Sequence, residues 1–220
     1  MKNLVVFSDF DGTITKEDTL NKFLHIYADS KWLEIENRWI NNEIGSKECI
    51  EEQMKLVSVP EQEKMDKFIE SIEIDETFPD FYNYLRKENI AFYIVSDGFN
   101  YFISKILKKH GIDDAKIFSN KLEIKDGKFY TYFPNTDVDC KRKSGVCKCK
   151  IVDSKRKSNT IVTNRVLYAG DGLSDFCVSD RVDFLFAKGS LLEYCKNTQN
   201  DNLFGFNSFD EIKGFIETYK

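Results

Sequence analysis

Nowhere in the 220 residues does an apolar run approach the roughly 18 needed for a bilayer-spanning helix, so no membrane partner is expected. A basic excess is missing too. The 32 Lys and Arg against 37 Asp and Glu leave a net charge of -5 and no cationic footprint for nucleic acid. Proline is scarce, at 3 residues against 19 Phe, a composition that disfavours long disordered stretches. Internal repeats and low-complexity tracts are absent. The opening Met1-Lys2-Asn3-Leu4 imitates a secretory leader only until Ser8 and Asp9 break the apolar segment. Six cysteines, Cys49, Cys140, Cys147, Cys149, Cys177 and Cys195, are spread through a chain large enough to fold without covalent staples. Reduced thiols and a cytoplasmic location are therefore expected.

With 41% hydrophobic residues the chain can build one large domain, or a core domain with a smaller companion. Leu4 to Phe7, Ala91 to Val95, Val166 to Ala169 and Asp183 to Ala187 are short runs rich in Val, Ile, Phe and Tyr, which read as strands covered on both faces. Helical patterns fall between or after them. Phe99, Phe102, Ile103, Ile106 and Leu107 keep helical spacing up to His110-Gly111, and Ser208 with Glu211 forms a capping-box pair ahead of Ile212, Phe215 and Ile216. This alternation predicts an α/β fold with a Rossmann-like parallel sheet.

Two regions depart from it. From about Lys16 to Pro79 only helical stripes occur: Leu20, Phe23, Leu24 and Tyr27; Trp32, Ile35 and Trp39; Ile50, Met54 and Val57; Met65, Phe68, Ile69 and Ile72. The expected division is a catalytic core of 1–15 and 80–220 and a helical cap of 16–79 inserted after the first strand. In residues 121–133 the pair Asp126-Gly127 suits a tight hairpin turn.

The stretch LVVFSDFDGTIT raises the chemical question, because a buried strand runs straight into Asp9 and Asp11. Carboxylates this close resist ionising together unless a cation or strong donors compensate them. In parallel sheets the carboxyl ends of the strands form the ligand crevice. Asp9 and Asp11 end the first strand, Ser96 and Asp97 the second, and Asp171 the third, so all face one place. Lys150, from CKCK, adds an ammonium. A hydroxyl, an ammonium and clustered carboxylates suit phosphoryl transfer, in which positioning and charge neutralisation dominate.

In this order DFDGT, a strand ending in Ser, a later Lys and GDGLSD resemble the four motifs of the haloacid dehalogenase superfamily of phosphatases, and they bracket the chain from Asp9 to Asp175. The helical insertion resembles the C1-type cap of the phosphoserine phosphatase branch. Within that branch DFDGTIT, a Cys before the Lys, GDGLSD and FAKGSLLEYC look most like the phosphatases of methionine salvage, which hydrolyse a methylthio-pentenyl phosphate. The resemblance implies that Asp9 attacks phosphorus to give an aspartyl phosphate and that Asp11 protonates the leaving alkoxide and then activates water. It implies that Ser96, Gly98 and Lys150 hold the phosphoryl group. Mg²⁺ would be bound by Asp9, the Asp11 carbonyl and Asp171, with Asp175 supporting it. Asp18 would contact the leaving group of a small phosphorylated metabolite, with Arg38 and Trp39 as further specificity candidates.

Plainer readings stand beside these. Asp18 is also an ordinary helix-start carboxylate, and Ser96 an ordinary strand-end serine. Lys150 is preferred to Lys148 only for its place after Cys149. Asp97 stands where related enzymes often carry glycine and must point away from phosphate. The spacing C-x6-C-x-C of Cys140, Cys147 and Cys149 could hold zinc, but with three ligands rather than four, so free thiols are expected. GDGLSD also imitates a dinucleotide loop, which Asp175 argues against. Phosphoserine, sugar phosphates and phosphocholine-like esters stay open as substrates. A non-enzymatic phospho-aspartate receiver is the alternative from another class, disfavoured by Asp11 and the cap. The sequence says nothing of the oligomeric state.

Overall fold

The protein is described by a computed structural model that covers residues 4–156, 164–197 and 202–219; the first three residues of the leader-like opening lie outside these. The first strand, β1 (Leu4–Ser8), is buried at every position and occupies the middle of the sheet. Four helices follow: α1 (Thr19–Tyr27), α2 (Trp32–Ile40), α3 (Ser46–Met54) and α4 (Gln62–Glu70). They match the four apolar stripes, except that Val57 and Ile72 fall just past their helix ends. The excursion leaves and returns across one antiparallel bridge, Thr15 to Ile74.

The chain continues through α5 (Phe78–Lys87), β2 (Ala91–Phe99), α6 (Asn100–Lys109), β3 (Lys116–Lys125) and β4 (Lys128–Tyr132). It ends with α7 (Lys148–Arg156), β5 (Arg165–Gly170), β6 (Phe184–Ala187), α8 (Gly189–Lys196), β7 (Leu203–Gly205) and α9 (Phe209–Thr218). The seven-stranded sheet has the order β4-β3-β2-β1-β5-β6-β7 and is parallel except for β4. The fold is thus the expected α/β type. The chain grows from β1 first to one side and then to the other, so the switch point lies beside β1, where such sheets bind ligands.

β3 serves two partners. Its first half pairs parallel with β2, and its second half from Lys121 onward forms the expected hairpin with β4. The turn places Asp126 at φ +49° and Gly127 at φ +69°, the pair of left-handed residues that a two-residue hairpin demands. β2 outruns its predicted end at Val95. Its register with β3 shifts between Val95 and Phe99, and this irregularity lifts Ser96, Asp97 and Gly98 out of the plain ladder toward the crevice.

Aromatic packing joins the layers. Phe23 of α1 lies 5.2 Å from Phe68 of α4 and 4.9 Å from Phe102 of α6, so the helical excursion shares one apolar cluster with the sheet's helices. At the opposite end α9 starts as its capping box predicts, with Glu211 accepting from the Ser208 amide. Phe209 then enters between Phe78 and Phe81 at 4.9 and 5.2 Å and is fully buried. Phe209→Ala should therefore lower unfolding free energy by about 3–5 kcal/mol, measured by urea titration, because a cavity between these two buried rings cannot collapse fully.

Candidate active site

Asp9 follows β1 directly, its amide donating to the Ala169 carbonyl of β5 at 2.8 Å. That bond fixes its carboxylate between the ends of β1 and β5. One oxygen, Oδ1, accepts from the Phe10 amide at 2.7 Å; the other lies 2.7 Å from the Lys148 ammonium. The chain then turns sharply at Gly12, whose φ is +69°. A side chain there would also strike the Asp171 carboxylate, with Cβ to Oδ2 at 2.4 Å. Thr13, beyond the turn, donates its hydroxyl to Asp171 Oδ1 at 2.7 Å, and Lys188 donates to the Thr13 carbonyl at 3.1 Å.

Asp11 accepts from the Thr19 amide at 2.9 Å and from the Ser96 hydroxyl at 3.3 Å. Ser96 is buried, and its oxygen accepts from the Gly98 amide at 2.8 Å. Asp175 is wholly enclosed and fully engaged. One of its oxygens receives Lys148 at 2.7 Å and the Tyr168 hydroxyl at 2.5 Å, while the other receives the Asp171 and Gly172 amides at 3.1 Å each. The structure brings together Asp9, Asp11, Ser96, Gly98 and Asp171 around one cleft, with Asp175 behind them.

Lys150 is not among them. Its side chain is 62% exposed and pairs with Asp137 at 3.2 Å, whereas Lys148 is 1% exposed and reaches Asp9, Asp175 and the Ser174 hydroxyl. The reason is helical phase. Lys148 opens α7 and shares a face with buried Ile151 and Val152, three and four positions on, while Lys150 points to the other side. That spacing was present in the sequence and is a stronger signal than the neighbouring cysteine.

The electrostatics show an excess of negative charge. Burial drives the acid of Asp9 well above the carboxylate range, helped by Asp175 and Asp171 and opposed by Lys148. Burial and Asp175 likewise push Asp171 up to about 6. Asp11 is raised by burial against its bonds from Thr19 and Ser96. Burial alone would lower Lys148, but Asp175, Asp9 and Asp97 overturn this and hold it firmly protonated. One ammonium thus serves several carboxylates and leaves them under-compensated.

A hard cation fits that deficit. Ligand oxygens of Asp9, Asp171 and Asp175 lie within 4.8 Å of one another. Both oxygens of Asp175 are already engaged by Lys148, Tyr168 and two amides, so of the three carboxylates Asp9 and Asp171 are the ones that could ligate a cation directly.

Asp18 stands at the start of α1 and at the rim of the cleft. Its Oδ1 accepts from the Asn21 amide at 2.8 Å, capping α1, and the residue also lines the cleft. Enclosing protein, then the Asp11, Glu36 and Asp171 charges, push its acid up to about 8 even though its own surface is wetted by the cleft. Trp39 lines the cleft, whereas Arg38 turns to Glu52 at 2.7 Å on α3. Asp97 also lines the cleft. Its carboxylate accepts from Ser46 at the start of α3 at 2.7 Å and from the Val146 amide at 2.6 Å, and Ser46 in turn accepts from the Gly145 amide at 3.1 Å. It is a clasp between the sheet, α3 and the loop before α7.

The sequence profile of a family described as Putative Phosphatase matches residues 3–190. The chain belongs to that family. This Putative Phosphatase family member is 30% identical over 199 residues to the 2-hydroxy-3-keto-5-methylthiopentenyl-1-phosphate phosphatase of Bacillus pumilus (strain SAFR-032), covering 89% of the chain and 84% of that relative. It is 26% identical over 214 residues to the protein of the same name from Exiguobacterium sp. (strain ATCC BAA-1283 / AT1b), with 96% of each covered. Among solved structures it is similar to a phospho-aspartyl intermediate analogue of phosphoserine phosphatase, with TM-score 0.72 and 19% identity over 98% of this chain and 99% of that one. Phosphoserine phosphatase from T. onnurineus gives TM-score 0.70 at 17% identity, covering 99% and 96%. These likenesses show the haloacid dehalogenase fold that the motifs implied.

Removing Lys148 should leave buried Asp9 and Asp175 without a counter-charge. In chelator, Lys148→Ala should lose about 3–5 kcal/mol of unfolding free energy. Lys150→Ala, which gives up an exposed pair, should change by less than about 1 kcal/mol. Denaturant titration of both variants checks the assignment, and equal losses would contradict it.

Proposed function

We propose that the protein is a Mg²⁺-dependent phosphomonoesterase that works through an aspartyl phosphate on Asp9. The observation that carries this reading is the meeting of Asp9, Asp11, Ser96 and Asp171 at three adjacent strand ends beside one cleft, with Lys148 of α7 reaching Asp9 from behind. Asp9 is held by the Phe10 amide and by Lys148, which leaves its free lone pairs for attack in line with the leaving oxygen. Asp11, raised by burial, can carry a proton to the departing alkoxide and then take one from the water that cleaves the acyl phosphate. Ser96 and Lys148 supply donors to the phosphoryl oxygens, so Lys148 takes the part first expected of Lys150. Mg²⁺, held by Asp9, the Asp11 carbonyl and Asp171, would neutralise phosphate charge.

The reading treats residues 16–79 as the cap that closes over the leaving group. Leu20, Trp39 and Ile50 give that end of the cleft an apolar wall, and Asp18 and Glu36 add acids; no Lys or Arg lines it among the described residues. A leaving alcohol that is uncharged, such as the methylthio-pentenyl group, suits that wall. A cationic alcohol is the second choice, favoured by the two acids. The serine carboxylate of phosphoserine would meet Asp18 and Glu36 with no cation to answer it. The six free thiols accord with a cytoplasmic enzyme.

A panel of phosphate esters ranked by kcat/KM tests the reading. The methylthio-pentenyl phosphate should lead phosphoserine by at least about tenfold, in keeping with an unpaired buried charge in the latter; a leading phosphoserine would overturn the leaving-group argument. Asp9→Asn should retain the fold by circular dichroism and lose more than about a hundredfold in kcat. Chelation by EDTA should stop turnover and Mg²⁺ restore it, whereas Ca²⁺, with longer bonds and more ligands, should inhibit. Full activity in chelator would rule out the hard-cation site.

A further inference from the structure

β6 ends at Ala187 and α8 begins at Gly189, so Lys188 alone joins a buried strand to a helix. Its amide donates to the Gly170 carbonyl at the end of β5 at 3.1 Å. The helix then grips the next residue of that loop, since the Asp171 carbonyl accepts from the Leu191 amide at 2.8 Å and from the Ser190 hydroxyl at 3.2 Å. The main chain of Asp171 is thus bracketed from the α8 side.

The Lys188 side chain runs the other way. Its ammonium donates to the Thr13 carbonyl at 3.1 Å and stands 5.2 Å from the centre of the Phe206 ring. Thr13 is fully buried and passes the contact on, its hydroxyl donating to Asp171 Oδ1 at 2.7 Å. Among the described residues no donor takes Oδ2. The carboxylates whose charge the ammonium feels are Asp171 and Asp75, yet it forms an ion pair with neither. Lys148 differs in this respect, for it sits on Asp9 directly. An ammonium in contact with Asp171 would compete with a cation for that carboxylate, whereas one that reaches only the Thr13 carbonyl leaves the charge free and still fixes the hydroxyl that aims it.

We propose that Lys188 is a positioning residue for the cation site: acting through Thr13, it sets the orientation of the Asp171 carboxylate so that Oδ1 is held and Oδ2 is presented to the ion. The inference rests on the proposed Mg²⁺ site, with Asp171 as a ligand. Lys188 touches neither phosphate nor metal in this part. Its removal therefore acts on cation affinity, a quantity that a purely structural lysine would leave alone.

Mg²⁺ binding to the purified protein, followed by calorimetry and by competition with Mn²⁺ in electron paramagnetic resonance, needs no substrate. Thr13→Val, an isostere without the donor, should weaken Mg²⁺ about tenfold, the usual cost of losing a hydrogen bond behind a ligand. Thr13→Ser, which keeps the hydroxyl, should recover most of that loss. Lys188→Met, which keeps the stem beside Phe206 but not the ammonium, should also weaken Mg²⁺ about tenfold. Because the two residues act in series, the double variant Thr13→Val with Lys188→Met should lose no more than about tenfold, whereas independent contributions would multiply to about a hundredfold. Should Lys188→Met not fold by circular dichroism, Lys188→Gln, shorter and uncharged, carries the same comparison. No Mg²⁺ binding by the unaltered protein would defeat the hard-cation reading itself. Binding that is present but unmoved or tightened in Lys188→Met, or a double variant that loses the full product, would overturn the part given to Lys188.

Discussion

A single buried ammonium underlies the site. Lys148 lies 2.7 Å from both Asp9 and Asp175 and is shielded from water, so neither charge can be removed without stranding the other. From that pairing follow the placement of α7, whose first residue must reach under β1, and the enclosure of Tyr168, whose hydroxyl completes Asp175. It also leaves Asp171 and Asp9 short of positive charge, which is why the cleft is built for a cation and an anion together. A site with charges matched in its empty state would have little to offer a phosphate.

Division of labour follows the layers. In the proposed reaction the strand ends would carry the groups that handle phosphorus, fixed by main-chain bonds such as that of Asp9 to Ala169. In the proposed reaction the helices between β1 and β2 would carry the groups that meet the alcohol. α1 and α4 are bound to the core by rings, whereas α2 and α3 bring Trp39, Glu36 and Ile50 to the cleft and are held at Ser46 by Asp97. Asp97 therefore links the helical excursion to the strand ends.

Much of this was legible in the sequence because it is local. Asp9 and Asp11 declare themselves by charge at the end of a buried strand, and GDGLSD by a tight turn whose aspartate ties its own amides. The apolar stripes gave four helices because each repeats at helical spacing. What stayed hidden depends on contacts distant along the chain. Lys148 was passed over for Lys150 although Ile151 and Val152 define the helix face. The contact of Cys177 with Cys149 and of Asp97 with Ser46 needs the fold. β7 was missed since three residues give no periodicity, and the first half of β3 since its hairpin half dominates the pattern.

The two borders of the sheet carry a consequence of their own. β7 is only three residues long, and β4 is a five-residue strand, KFYTY, of alternately exposed residues, reached through a turn flanked by Lys125 and Lys128. Unpaired edge amides invite the edge of another molecule, and short length with flanking charge discourages it. A chain so rich in phenylalanine, with a sheet nearly all parallel and slow to assemble, thus has its sticky margins blunted where crowding with its own copies would otherwise end in aggregates.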